Sequence, residues 1–120
     1  MSVVLAVGAV VGCGVGAVVR HLLAQRVTGE NLAWHTIAAN TLACALVGAV
    51  AGIPDAPAGL MLVLGTGVGG GLSTFSTLAV DAAHLWEAGE RGRAVAYLAL
   101  TCAAGVAAAW AGWTATSTLG

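Results

Sequence analysis

Charged residues cut the chain into four long uncharged runs, residues 1–19, 31–54, 56–80 and 94–120. Inside them the apolar positions do not alternate with polar ones, so membrane β-strands are excluded. Nor does any run show a soluble helix's polar face. A helix that crosses a bilayer needs about 20 mostly apolar residues, and each run approaches that length. The breaks between them are charged or rich in turn residues: 20–30, 53–57 and 81–93. The pattern predicts four membrane helices, at about 3–23, 34–52, 59–84 and 93–116. The first run lacks a positive leader and is interrupted by glycines, so it reads as a span and not as a cleaved signal.

Composition sharpens this picture. In a chain of 120 residues, one domain's worth, 59% are apolar and only 8% charged, against roughly 25% charged in soluble domains. Mean hydropathy is +0.96. Nine charges cannot cover a water-soluble surface of this size. A net charge of −1 excludes nucleic acid as a partner. The bilayer is the expected surroundings, and the expected fold is an all-α integral membrane four-helix bundle spanning 1–120 as one domain.

Cys13, Cys44 and Cys102 fall inside predicted spans with no paired motif, so they read as small apolar residues. His21, His35 and His84 lie near predicted helix ends, without metal spacing. Gly8, Gly12 and Gly16 form a four-residue stripe that ends in Arg20. Asn40, Cys44 and Gly48 form another in the second span, and Gly105 and Gly112 lie in the fourth. Such stripes bring helix backbones close together in lipid.

Packing does not explain residues 65–78. Gly69, Gly70 and Gly71 are consecutive, and Ser73, Thr74, Ser76 and Thr77 follow. Each mid-helix glycine costs about 1 kcal/mol relative to alanine. A broken third helix, buried in protein or lining a cavity, is the favoured reading; the plainer one is a continuous helix whose hydroxyls bond back to its own carbonyls. Gly65, Gly67 and Gly70 also fit a dinucleotide fingerprint, but no strand–helix unit surrounds them. A P-loop is excluded because the chain has no lysine. Asn40, Arg20, Tyr97 and Thr101 are the other polar residues of the spans, and with the third-helix cluster they suggest one polar track. Its donors suit an anion better than a cation.

Gly70-Gly-Leu-Ser-Thr-Phe-Ser-Thr-Leu78 resembles the central signature of the CrcB/Fluc fluoride channels, Gly-Gly-Leu-Thr-Thr-Phe-Ser-Thr-Phe. Gly16-Ala-Val-Val-Arg20 resembles their first-helix ending, Asn40 matches their second-helix asparagine, and Gly92 to Tyr97 with Thr101 looks like their fourth-helix start. The resemblance implies a multi-pass protein of the bacterial plasma membrane that exports fluoride passively through narrow pores. It implies an antiparallel dimer of oppositely inserted subunits, with a structural sodium ion at its centre. By position, the backbone carbonyls of Gly70 and Ser73 would hold the sodium, and Phe75 would line a pore. Asn40, Ser76 and Thr77 are then candidate fluoride donors, with Tyr97 and Thr101 one helix over. Arg20 would attract the anion at a vestibule or tie helix ends together.

Two departures stand out. Leu78 takes the place of the family's second pore phenylalanine. Arg20, Arg26, Arg91 and Arg93 all belong to connections on one side of a four-span chain, which favours a single orientation with both termini outside. The partner is then either a second copy or an oppositely oriented paralogue. Two other classes compete. A small dual-topology multidrug-type exporter subunit would be expected to carry a carboxylate in its first helix, and a structural membrane subunit has no use for the hydroxyl cluster. No nucleophile–base set or buried carboxylate pair suggests an enzyme.

Overall fold

A computed structural model describes residues 2–26 and 33–118. The remainder of the first connection, including Glu30, lies outside the described residues. Helix α1 is Val3–Arg26 and α2 is Trp34–Gly52. The third span opens with a single turn, α3 (Ala58–Leu60), and continues as a π-helix over Met61–Gly69. Then come α4 (Gly70–Leu72), the extended pair Ser73 and Thr74, and α5 (Phe75–Glu87). The fourth span is α6, Arg91–Ser117. Among the described residues four stretches are long and apolar enough to cross a membrane: Val3–Arg26, Trp34–Gly52, Met61–Glu87 and Arg91–Ser117. This is a multi-pass membrane protein.

Short turns join the spans. Asp55, at φ 56, takes the left-handed conformation in the turn after α2, which a short polar side chain tolerates. Gly89, at φ 84, reverses the chain between α5 and α6. Tryptophans mark the two ends of α6. Arg91 stacks over Trp86 at 4.8 Å, and Trp110 packs on Trp113 with ring centroids 5.7 Å apart. From residue 91 to residue 113 a helix rises about 33 Å, close to the thickness of a bilayer's hydrocarbon core.

Glycines decide how the helices meet. A Cβ on Gly16 would strike the Val68 carbonyl and the Leu72 amide, and one on Gly71 would strike the Cys13 carbonyl. So α1 lies backbone to backbone against the π-helix and α4. Likewise a Cβ on Gly48 would strike the Ala109 carbonyl, and one on Gly112 the Ala45 carbonyl, which seats α2 directly on α6. The bundle is thus two tight helix pairs. Small apolar clusters join them: Ile37, Leu78, Ala82 and Tyr97 in one, Ala39, Ala43 and Leu72 in the other. The outward valines of α1, such as Val3 and Val10, are exposed.

Two sequence boundaries move. α1 continues past Arg20 to Arg26, so Arg20 lies about 9 Å inside the helix end and does not close it. α5 runs through Asp81 to Glu87, leaving only residues 88–90 as the connection. Asp81 thus lies inside the helix, as the predicted span 59–84 already had it, about 9 Å before the helix end. The side-chain partner described below makes it tolerable there.

Candidate functional site

Two residues without helical backbone at membrane depth must satisfy their polar groups by other means. Ser73 has ψ 157, and Thr74 has φ −150 and ψ 116. The Ser73 amide still donates to the Gly69 carbonyl at 2.9 Å. The Thr74 amide, which in a continuous helix would reach Gly70, donates instead to Asn40 Oδ1 at 2.7 Å. Asn40 Nδ2 donates back to the Thr74 carbonyl at 3.1 Å. The Asn40 side chain thereby replaces the ladder acceptor of the Thr74 amide and adds a second donor to the Thr74 carbonyl, which as the N-cap of α5 also takes the first amide of that helix; the Gly70 carbonyl loses its helical donor. Arg20 Nη1 donates to the Ser73 carbonyl at 3.2 Å. Thr74 Oγ1 accepts from the Thr77 amide at 3.2 Å and caps α5.

Arg20, Thr74 and Thr77 line a cavity of about 220 Å³, together with His21, His35 and Thr36. Its wall is therefore polar and cationic, against the apolar outside of the bundle. Thr77 also borders a second hollow of about 210 Å³ with Ser76, Val80 and Asp81. Behind it, Tyr97 is fully buried and its hydroxyl donates to Asp81 Oδ2 at 3.1 Å. Thr101 Oγ1 donates to the Tyr97 carbonyl at 2.7 Å. A carboxylate in a span is expensive unless it has a donor, and Tyr97 supplies one.

The structure brings Arg20, Asn40, Ser73, Thr74 and Thr77 together directly. Tyr97 and Thr101 sit behind them, their hydroxyls engaged with Asp81 and with α6 itself. Gly70 and Phe75 point elsewhere. A Cβ on Gly70 would meet nothing within 4 Å, and Phe75 is 80% exposed. Gly70 and Ser73 border an apolar hollow of about 310 Å³ with Ala43, Val47 and Ala109. Leu78 is buried against Tyr97 and Ile37 and exposes no side chain to either hollow.

Three members of the polar region were not singled out as functional from sequence: Thr36, Thr74 and Asp81. Thr36 lies four residues before Asn40, one helical turn on the same face, and is 1% exposed. Asp81 lies four after Thr77. That spacing was the available signal, hidden because a charge next to Glu87 and Glu90 reads as the edge of a span.

A family profile described as "CrcB-like protein, Camphor Resistance (CrcB)" matches residues 6–113, nearly the whole chain and all of the site. The chain belongs to the CrcB-like family. Curated relatives agree along most of their length. A protein of Rubrobacter xylanophilus named "Fluoride-specific ion channel FluC 1" is 41% identical over 102 residues, 82% of each chain. One of Rhizobium etli, "Fluoride-specific ion channel FluC", is 35% identical, covering 85% of this chain and 87% of its own. Another of that name from Bordetella avium is 38% identical, covering 82% and 80%. Within this CrcB-like chain, the segment that resembles the family signature coincides with the two extended residues and their clamp.

Proposed function

We propose that this protein is a fluoride channel of the bacterial plasma membrane, carrying the anion passively down its electrochemical gradient. One observation carries the reading: relatives named as fluoride-specific channels match at 35–41% identity over more than four-fifths of the chain. The polar region supports it chemically. Fluoride holds its water strongly, so a narrow path must offer donors in its place. Arg20, Thr77 and Ser76 offer hydrogen-bond donors at the two hollows bordering Thr77, and Phe75 offers the positive edge of its ring. Asn40 acts differently, since its amide is committed to Thr74 at both ends. It holds the extended backbone in place with one N–H and its oxygen, which leaves the second N–H of the amide to face an ion. Tyr97 and Thr101 lie behind the path, and each offers its hydroxyl proton to an ion only by giving up its bond to Asp81 or to the Tyr97 carbonyl.

A structural sodium ion fits the carbonyls of Gly70 and Ser73. Gly70 has lost its helical donor, and the carbonyl of Ser73 has a second lone pair beside the one taken by Arg20. Bound there, sodium would supply fixed positive charge at the centre of the assembly. Two carbonyls are few for a bare cation, which argues that a second subunit adds its own pair. The exposed Phe75 and the apolar hollow beside Gly70 are the face such a partner would cover. An antiparallel dimer, with a copy of itself or an oppositely oriented paralogue, is the assembly we favour.

The test is fluoride efflux from liposomes that contain this purified chain alone, followed with a fluoride electrode and with chloride as control. Rapid efflux selective for fluoride is expected. Absence of efflux from folded protein, both alone and with an inversely biased paralogue, overturns the reading.

A further inference from the structure

The cavity of about 220 Å³ gathers three nitrogen-bearing side chains that the fluoride reading does not require together: Arg20 and His21 from α1, and His35 from the first turn of α2. They share its wall with Thr74 and Thr77, at the start of α5. Arg20 is already committed to the Ser73 carbonyl. The histidines are not tied to charged groups: His21 Nε2 meets Gln25 Nε2 at 3.1 Å, and His35 Nδ1 meets Thr36 Oγ1 at 3.4 Å. Both partners are neutral and can accept or orient either ring state, Gln25 after an amide rotation. His21 is exposed and His35 half-buried, so water reaches the cavity.

We infer that His21 and His35 form a proton-charged anion-loading site at this mouth, so that acid strengthens fluoride uptake into the path. The inference rests on the fluoride-channel reading and deepens it. Histidine is the side chain whose charge ordinarily changes between pH 5 and 8. Arg20 gives the mouth one fixed charge, and each imidazole that takes a proton from water adds another. A cleft of one sign with low-dielectric walls raises the local concentration of the opposite ion. The facing groups, among the described residues, do not cancel this. Arg26 is exposed further along α1. Asp81 lies beyond Thr77 and is engaged by Tyr97 from α6.

The arrangement suits the chemistry of the ion. Hydrogen fluoride that crosses a membrane unaided releases fluoride and one proton in the compartment it reaches. A mouth that faces that compartment would meet the fluoride and the proton together.

Fluoride current through the purified wild-type chain in planar bilayers tests this, at matched pH on both sides from 8 to 6. Electrical recording does not register neutral hydrogen fluoride. We expect the current to rise about three- to tenfold across that range. The double variant His21→Gln/His35→Gln should lose most of the rise, read as the ratio of its own currents at pH 6 and pH 8. In the wild-type chain alone, the rise should shrink as an impermeant salt goes from about 0.1 M to about 1 M, because screening shortens to about 3 Å. A flat wild-type profile, a rise undiminished in the double variant, or a rise insensitive to salt each overturns the inference. No fluoride current at any pH overturns the channel reading itself.

Discussion

Asn40 is the residue on which the site turns. Its side chain satisfies the amide and the carbonyl of Thr74, and no other described side chain bonds to either. Asn40→Ala leaves the Thr74 amide unpaired inside the bundle, at about 1–3 kcal/mol, while the Thr74 carbonyl keeps its bond within α5. We expect a drop in thermal midpoint in detergent, and fluoride efflux reduced at least tenfold. Asn40→Asp keeps an acceptor for the Thr74 amide but sets a carboxylate oxygen against the Thr74 carbonyl, so it should also lower the thermal midpoint. The Asp81–Tyr97 pair offers a contrast. Tyr97→Phe leaves the Asp81 carboxylate without its donor, whereas Asp81→Asn removes the charge and keeps a carbonyl oxygen that can accept from Tyr97. Thermal unfolding should therefore show Tyr97→Phe to be the more damaging, because a stranded charge costs more than a neutral amide that keeps its donor. At this scale the sequence was only partly legible. Asn40 and Arg20 stood out because polar groups are rare within spans. Asp81 did not, because the residue that makes it tolerable lies 16 positions away on another helix. The commitment of Thr101 to its own backbone was equally invisible, since a hydroxyl's partner depends on its rotamer.

Among the elements, the helices were legible and their contacts less so. Long apolar runs mark spans whatever the tertiary context, which is why four were visible at once. The end of α1 was missed by three residues, because 24–26, of mixed polarity, remain helical beyond the predicted end at residue 23. Nor does periodicity reveal a π-helix over Met61–Gly69, since a wider turn leaves composition unchanged. The glycine stripes were read as packing surfaces, and the structure gives each its counterpart. Gly71 faces the backbone of Cys13, while the neighbouring stretch of α1 holds Gly14 with nothing within 4 Å. Gly71→Ala should prevent α1 from seating, visible as loss of the monodisperse peak on gel filtration. Gly14→Ala should leave that peak in place and change stability by less than about 1 kcal/mol, with the sign of a helix-favouring substitution.

For the whole molecule the open question is orientation. Arg20 is held within the span by Ser73, so it counts less toward the bias of the connections than sequence position suggests. Arg26, Arg91 and Arg93 remain, all at helix ends on one side. We expect cysteine probes placed at the two termini to be labelled mainly from outside the cell when the chain is expressed alone. Equal labelling from both sides would show that three arginines do not bias insertion, and would favour a second copy over a paralogue as partner. The partner itself could not be read from the chain, because a face such as that around Phe75 is defined by what covers it.

The contacts through Gly16, Gly71, Gly48 and Gly112 have a mechanical consequence. Where a carbonyl occupies the space of a missing side chain, a helix cannot slide along its neighbour without collision. Transporters that expose a substrate alternately to the two sides rely on such sliding or rocking of one bundle against another. Here both helix pairs are locked by main-chain steric contact, and the Asn40–Thr74 clamp couples one pair to the other. The protein is stiff in the directions that a pump would need to be soft. Such a body is suited to hold one conformation while ions move through it, with its throughput set by access at the mouths.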